Sequence, residues 1–220
     1  YKPGFAINPL KFVNGIAKYA LSKKLKIFEH SFVDKIEKIN RSYNLKTKEG
    51  SVNAKKIVVA TNGFYQEGLV PQLNGRILPV ISNIIVTRQL TKDEIDLHNF
   101  KTFSPIANTK NLLYYYRKLP DNRILFGTRG DFIGSNQSNF VRSKIMENFF
   151  KKIFPSWLNI SIDYNWRGLI AMSQKLTPSI GKIKNEEIYY GFGYHGVGVA
   201  SAPWTGKQLS KLVFSSNSKD

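Results

Sequence analysis

A strand-like run, Ile188-Tyr189-Tyr190-Gly191-Phe192, meets glycines at 193, 196 and 198, and then residues at helical spacing: Val199, Ala202, Gly206, Leu209 and Val213. This reads as strand, tight turn and helix. The first N–H groups of such a helix have no acceptor inside it and carry the positive end of its dipole. They therefore suit a phosphate, a carboxylate or an electron-rich ring oxygen. Missing side chains let a flat ligand approach the backbone closely. Plain strand-to-helix packing uses the same residues, and the local sequence leaves both readings open. A second candidate is Thr61-Asn62-Gly63, which ends the short apolar run Ile57-Val58-Val59-Ala60. Ligands of open parallel sheets sit beyond the carboxyl ends of the strands. An ordinary strand-end turn is the competing reading.

Other chemistries are bounded by composition. The absence of cysteine excludes disulfides, thiolate metal sites and cysteine nucleophiles. His30, His98 and His195 do not stand at metal-ligand spacing, so no metal is expected. No catalytic triad or carboxylate pair appears, and no side chain is assigned as a catalytic acid or base. The 33 Lys+Arg against 15 Asp+Glu give a net charge of +18, which raises nucleic acid as a partner. The lysines are spread in pairs (Lys23-Lys24, Lys55-Lys56, Lys151-Lys152) without a block of like charge, which favours a solvated surface and places nucleic-acid binding third among the readings. The run from Ile77 to Val86 is interrupted by Pro79, Ser82 and Asn83, so no membrane span is expected, and with no leader pattern a cytoplasmic location is. The start Tyr1-Lys2-Pro3-Gly4, without methionine, suits a fragment or processed product.

These candidates need elements to hold them. Asn8 as N-cap with Pro9 at the first helical position opens a helix with Leu10, Val13, Ile16, Ala17, Ala20 and Leu21 on one stripe, closed by Lys23 and Lys24. A strand is expected from Leu25 to about Val33. A hairpin-like region follows, Ile36 to Leu45 and Val52 to Lys56, turning near Glu49-Gly50. The β-branched run from Ile57 to Ala60 predicts a strand buried on both faces. Further strands are expected at Ile77 to Thr87, Leu112 to Arg117 and Asp163 to Met172, with Pro120-Asp121-Asn122 turning the second into Ile124-Leu125-Phe126-Gly127. Helices are expected at Asp93 to Phe100 and Phe140 to Phe154, the latter by spacing of Val141, Ile145, Phe149 and Ile153. Hairpin-linked strands in the middle third argue for an antiparallel sheet, in contrast to the parallel character at both ends.

Seven segments occur in a fixed order: Gly4-Phe5-Ala6-Ile7-Asn8-Pro9-Leu10, Ala60-Thr61-Asn62-Gly63, Leu78-Pro79-Val80, Tyr114-Tyr115-Tyr116-Arg117 with Leu125-Phe126-Gly127, Trp166-Arg167-Gly168-Leu169, Pro178-Ser179-Ile180-Gly181 and Gly193-Tyr194-His195-Gly196-Val197-Gly198-Val199-Ala200. Together they resemble the D-amino-acid-oxidase type of FAD-dependent oxidoreductases, and within it the gamma-glutamylputrescine oxidoreductase branch. Each motif is loose; their common register over the whole chain is specific.

The resemblance implies an α+β fold, an FAD-binding part interleaved with a substrate domain built on a large antiparallel sheet. Residues 1–76 and 166–220 would belong to the first and 77–165 to the second. It implies Val33 near the adenine, Ala60, Thr61, Asn62 and Gly63 lining the cofactor, and Gly193, Tyr194, His195, Gly196, Val197, Gly198 and Val199 facing the flavin. The implied reaction is hydride removal from the carbon beside an amine, giving an imine that water hydrolyses, with oxygen or another acceptor reoxidising the flavin. Tyr115 and Arg117 alternate onto one strand face, where the arginine either holds a substrate carboxylate or lies on a plain sheet surface. Trp166 either walls the pocket or packs in a core. His195 either points at the flavin or caps the turn, while His30 and His98 read as surface or strand-packing residues. The family's first Rossmann βαβ unit, with its G-x-G-x-x-G, is absent from these 220 residues, so the chain reads as the C-terminal part of a longer enzyme and as inactive alone. Gln174-Lys175 and Val197 depart from the family's usual residues. An inactive fragment or flavin-free binding module is the alternative reading.

Overall fold

The computed structural model describes residues 5–109, 113–132 and 134–215. Helix α1 (Pro9–Ser22) begins as its sequence dictates: the Asn8 side chain accepts from the Lys11 N–H at 3.0 Å, Pro9 needs no partner, and Lys23 is the C-cap. The Gly4 of the first motif and the Leu112 expected at a strand start lie outside the described residues. Residues 25–33 do not form the expected strand. His30 takes a left-handed conformation (φ 54°) that breaks the run, and Leu25, Phe28 and Phe32 are exposed. A strand exists through its ladder, and no described strand runs beside this segment.

The next strands are β1 (Lys35–Ile39), β2 (Ser42–Lys46) and β3 (Ser51–Ala54), an antiparallel meander. The stretch expected as one strand from Ile36 to Leu45 turns at Asn40, whose φ of 55° asparagine tolerates. The turn near Glu49-Gly50 is present, with the Thr47 N–H donating to the Gly50 carbonyl at 2.9 Å. Strand β4 (Ile57–Val59) buries Ile57 and Val59 but leaves Val58 exposed, so it is covered on one face, not on both as its composition suggests. Then follow β5 (Leu78–Thr87), α2 (Lys92–Leu97), β6 (Ile106–Ala107), β7 (Tyr114–Lys118), β8 (Ile124–Asp131), α3 (Asn136–Ile153), β9 (Ile162–Met172), β10 (Ser179–Lys182), β11 (Ile188–Phe192) and α4 (Gly198–Ser215). The fold is α+β with a large antiparallel sheet.

Two compact units share the chain. One comprises Tyr1–Ile7 and Val80–Leu169. Its five-stranded sheet runs in the order β6-β7-β8-β5-β9, antiparallel from β6 through β5. The core on one sheet face is aromatic: Phe100, Phe126, Phe150, Phe154 and Trp157, with Ile85, Ile124 and Met146. Helix α3 turns Ser143, Met146 and Phe150 inward; of the stripe first read, Phe149 packs against the core while Val141, Ile145 and Ile153 are exposed, so the inward face is rotated from that spacing. This helix is apolar on more than one side, and the sheet it covers selects the face. His98, read as a surface or strand-packing residue, is half-buried and packs against a helical segment instead of a strand: its ring lies edge-on to Trp157, with centroids 4.5 Å apart, and to Phe154.

The other unit comprises Asn8–Pro79 and Ile170–Asp220. Beside the meander it holds the sheet β10-β11-β4, in which β11 runs parallel to β4 and antiparallel to β10. Tyr43, Ile57, Val59, Val70, Leu73, Ile183, Ile188 and Phe192 form its core. Helix α4 buries Thr205 and Leu209. No helix among the described residues is long and apolar enough to cross a membrane.

Candidate functional site

Parallel pairing of β4 with β11 sets Val59 opposite Tyr190 and brings the carboxyl ends of both strands together. Each strand ends in an unusual backbone. Asn62 stands at φ 50°, in a 3₁₀ turn closed by the Phe64 N–H on the Thr61 carbonyl, and Gly193 stands at φ 79°. Asn62 Oδ1 accepts from the Gly193 N–H at 3.0 Å. The two sequence candidates thus become one structure, held by a side chain that tolerates the left-handed region and a glycine that favours it. Gly63 is buried, while Ala60 and Thr61 are exposed. A Cβ on Gly193 would lie 3.2 Å from Ser173 Cβ, tighter than ordinary packing.

After Gly193 the chain turns through Tyr194, half-buried, His195 (φ 53°) and Gly196 (φ 87°) into α4. Val197 and Val199 are exposed, so the first turn of this 18-residue helix presents its backbone openly. Its leading N–H groups lack intrahelical acceptors and carry the dipole's positive end.

His195 is anchored twice. Its backbone N–H donates to the Ala171 carbonyl at 3.1 Å, and its Nε2 lies 3.1 Å from Ser173 Oγ. The Ser173 hydroxyl donates its single hydrogen to the Thr177 carbonyl at 3.0 Å. With that hydrogen engaged, Nε2 of His195 is the donor to Ser173. Its Nδ1 is buried without a partner among the described residues. Val33, half-buried in the extended segment ahead of β1, is not among the residues these bonds join.

The substrate candidates lie in the other unit. Tyr115 and Arg117 share one face of β7, while Tyr114 and Tyr116 enter the aromatic core on the opposite face. The Tyr115 hydroxyl lies 2.8 Å from Ser82 Oγ, and its ring covers Gly127 so closely that a Cβ there would overlap it. Burial pushes the Tyr115 phenol above its ordinary pKa, against the opposing influence of the Ser82 hydrogen bond. Arg117 Nη1 donates to the Ile7 carbonyl at 3.4 Å. On β9, Arg167 reaches the carbonyl of Ser135, the N-cap of α3, at 2.7 Å, and the neighbouring Trp166 is exposed. Sequence reading does not single out Arg129, which joins the Tyr115 face through its parity with Gly127; the Ser82↔Arg129 register becomes visible only in the paired sheet.

Comparison with known proteins agrees with this architecture. The chain is 33% identical over 211 residues to the probable oxidoreductase OrdL of Haemophilus influenzae, covering 94% of this chain and 47% of that protein. It is 29% identical over 210 residues to gamma-glutamylputrescine oxidoreductase of Escherichia coli, covering 96% and 48%. The L-proline dehydrogenase structure from P. horikoshii shares the fold, with a TM-score of 0.76 at 21% identity over 96% of this chain and 56% of that one. The chain spans about half the length of the curated relatives it matches. The model of the family described as FAD dependent oxidoreductase matches residues 1–212, and the chain belongs to that family.

Proposed function

We propose that this chain is part of an enzyme that oxidises the C–N bond of a small amine or amino acid, with FAD as its cofactor. The observation that carries this reading is the Asn62–Gly193 hydrogen bond, which fixes a strand end and a glycine turn together ahead of the α4 N-terminus. Relatives named gamma-glutamylputrescine oxidoreductase and glycine oxidase, and a neighbour named iminodiacetate oxidase, are in keeping with a C–N substrate. A gamma-glutamylputrescine-like amine is the finer form of the proposal.

The residues present fit the cofactor. Gly196 and Gly198 leave the backbone accessible, the leading α4 amides offer N–H donors, and the buried Nδ1 of His195 lacks a partner among the described residues. Bound FAD would accept the hydride removed from the carbon beside the amine. The α4 amides would hold the electron-rich edge of the ring system, and their dipole favours negative charge there. Asn62 and Ser173 would keep the turn in shape, with Ala60, Thr61, Gly63 and Val33 completing the cofactor side. Tyr115, Arg117 and Trp166 would line the substrate side. A substrate amine entering neutral needs no side-chain base, in keeping with the absence of an assigned one. Residues 1–76 and 166–220 would serve the cofactor, residues 77–165 the substrate, and oxygen or another acceptor would complete the cycle.

The test is flavin content, measured by visible absorbance and by fluorescence after denaturation. It is made on this chain and on a version extended upstream through a G-x-G-x-x-G unit. Flavin held by the extended form is the expected result. A colourless extended form under saturating FAD would overturn the reading in favour of a flavin-free binding module.

A further inference from the structure

Helix α3 is basic on the sides it does not bury. Of its charged residues Arg142, Lys144, Glu147, Lys151 and Lys152, only Glu147 is acidic. Phe140, Lys144, Glu147 and Lys151 recur at i, i+4, i+7 and i+11, so they share one side of the helix. That side borders an open groove of about 480 Å³, whose other wall is the segment from Leu158 to Ile162 leading into β9. Phe150 and Ile160 line it with carbon, Asn159 and Ser161 with hydrogen-bonding groups. All of these residues belong to the unit that holds Val80–Leu169. The cations here are under-used. Lys144 meets Glu147 at 3.2 Å, while Lys151 makes no ion pair or hydrogen bond among the described residues, so the groove keeps a net positive charge. Large apolar side chains stand in solvent beside it: Phe140 is 60% exposed and Leu158 54%, with Val141 and Ile145 also exposed.

Charge and apolar exposure together select the occupant. A soluble phosphate would use the lysines and leave Phe140 and Leu158 in water. An apolar partner would leave the lysines without a counter-charge, and the phosphate backbone of a nucleic acid has no use for aliphatic side chains. An anionic bilayer satisfies both, with phosphates at its surface and hydrocarbon beneath them, and the net charge of +18 adds long-range attraction. We propose that this side of α3 docks on an anionic membrane surface, a lipid phosphate seated in the groove at Lys144 and Lys151 while Phe140 and Leu158 enter the interfacial layer. The contact is peripheral, in keeping with the lack of a spanning helix among the described residues. It stands independently of the proposed C–N oxidation.

The experiment is flotation of the full chain with vesicles of phosphatidylcholine alone and with vesicles of equal parts phosphatidylcholine and phosphatidylglycerol. Binding to the mixed vesicles is expected to be at least about tenfold tighter and to fall as salt is added. Lys144→Gln and Lys151→Gln should each weaken it about fivefold, the worth of one lysine near a charged bilayer. Lys48→Gln and Lys55→Gln, at exposed lysines of the other unit, should each change it by less than about twofold. Leu158→Gln leaves the net charge unaltered and should still weaken binding about fivefold, because an apolar side chain no longer enters the interface. Equal binding of both vesicle types by the unaltered chain would overturn the proposal without recourse to any variant. An equal loss on changing Lys48 or Lys55 would overturn it too, by reducing the effect to net charge. Displacement from the vesicles by glycerol 3-phosphate would assign the groove to a soluble phosphate, and tighter binding of double-stranded DNA through Lys144 and Lys151 would assign the face to nucleic acid; either result rejects the membrane.

Discussion

Asn62 Oδ1 accepts a hydrogen bond from the Gly193 N–H at 3.0 Å, across 131 residues of sequence. Both residues lie just past the carboxyl ends of neighbouring parallel strands, and both use positive φ. Gly193 is buried, so its N–H has no recourse to water. One side-chain oxygen therefore fixes where the glycine turn starts and so where α4 begins.

Replacing Asn62 by alanine should destabilise the protein by about 2 kcal/mol, because a buried N–H loses its acceptor and alanine is strained at positive φ. Asn62→Asp retains the acceptor and the backbone tolerance and should cost clearly less. Urea unfolding of both variants checks this, and equal losses would show that the hydrogen bond is not what matters.

Gly127 should not accept a side chain while Tyr115 is in place. A Cβ there overlaps the Tyr115 ring, so Gly127→Ala should expel the ring, break its contact with Ser82 and cost about 1–3 kcal/mol. In a Tyr115→Ala background the same change should be nearly neutral. A double-mutant cycle reads the coupling, and strict additivity would refute the packing argument.

Acid should act through the start of α2. Glu94 closes a capping box with Thr91 and takes Arg88 in a two-pronged ion pair, with contacts at 2.6 and 2.9 Å. Arg88 first, and then the Thr91 N–H, lower its carboxyl from the usual 4.5 to about 2. The folded pKa is depressed, so the stabilisation is complete above about 4.5 and is lost as pH falls through about 2. The difference in melting temperature between the unaltered chain and Glu94→Gln should therefore be largest near neutrality and shrink progressively below pH 4.5. A difference that stays constant down to pH 3 would contradict the linkage.

Trp157 joins this cap to the core. Its indole Nε1 donates to the Glu94 carbonyl at 2.7 Å, and its ring stacks with Phe154 at a centroid distance of 4.7 Å. Trp157→Ala should cost about 3–5 kcal/mol through the cavity it leaves. Trp157→Phe should cost less, because it keeps most of the packing and loses chiefly the hydrogen bond. Guanidinium melts of both variants distinguish the two contributions.

The features legible in the sequence are those whose cause is local. Asn8-Pro9 announces α1, Glu49-Gly50 and Pro120-Asp121-Asn122 announce their turns, and the glycines after Phe192 announce the break before α4, because caps and turns are satisfied by residues a few positions away. Four expectations fail where the cause is remote. Residues 25–33 have strand composition but no neighbouring strand among the described residues, and Val58 lies on an uncovered face for want of packing. Met146 and Phe150 face the core in place of Val141 and Ile145, because a helix apolar on several sides takes its orientation from the sheet beneath it. His98 packs against Trp157, more than fifty positions away, which no local pattern encodes.

By itself the sequence determined the fold class, the family and the two glycine-rich strand ends, since composition, periodicity and motif order are written along the chain. Only the tertiary structure decided that Asn62 holds Gly193, that His195 leans on Ser173 and that Arg129 stands near Tyr115 with a buried Nε that has no partner among the described residues. These are pairings between strands and turns far apart in sequence. Register fixes them, and register is set by which surfaces bury one another, a choice the whole fold makes at once.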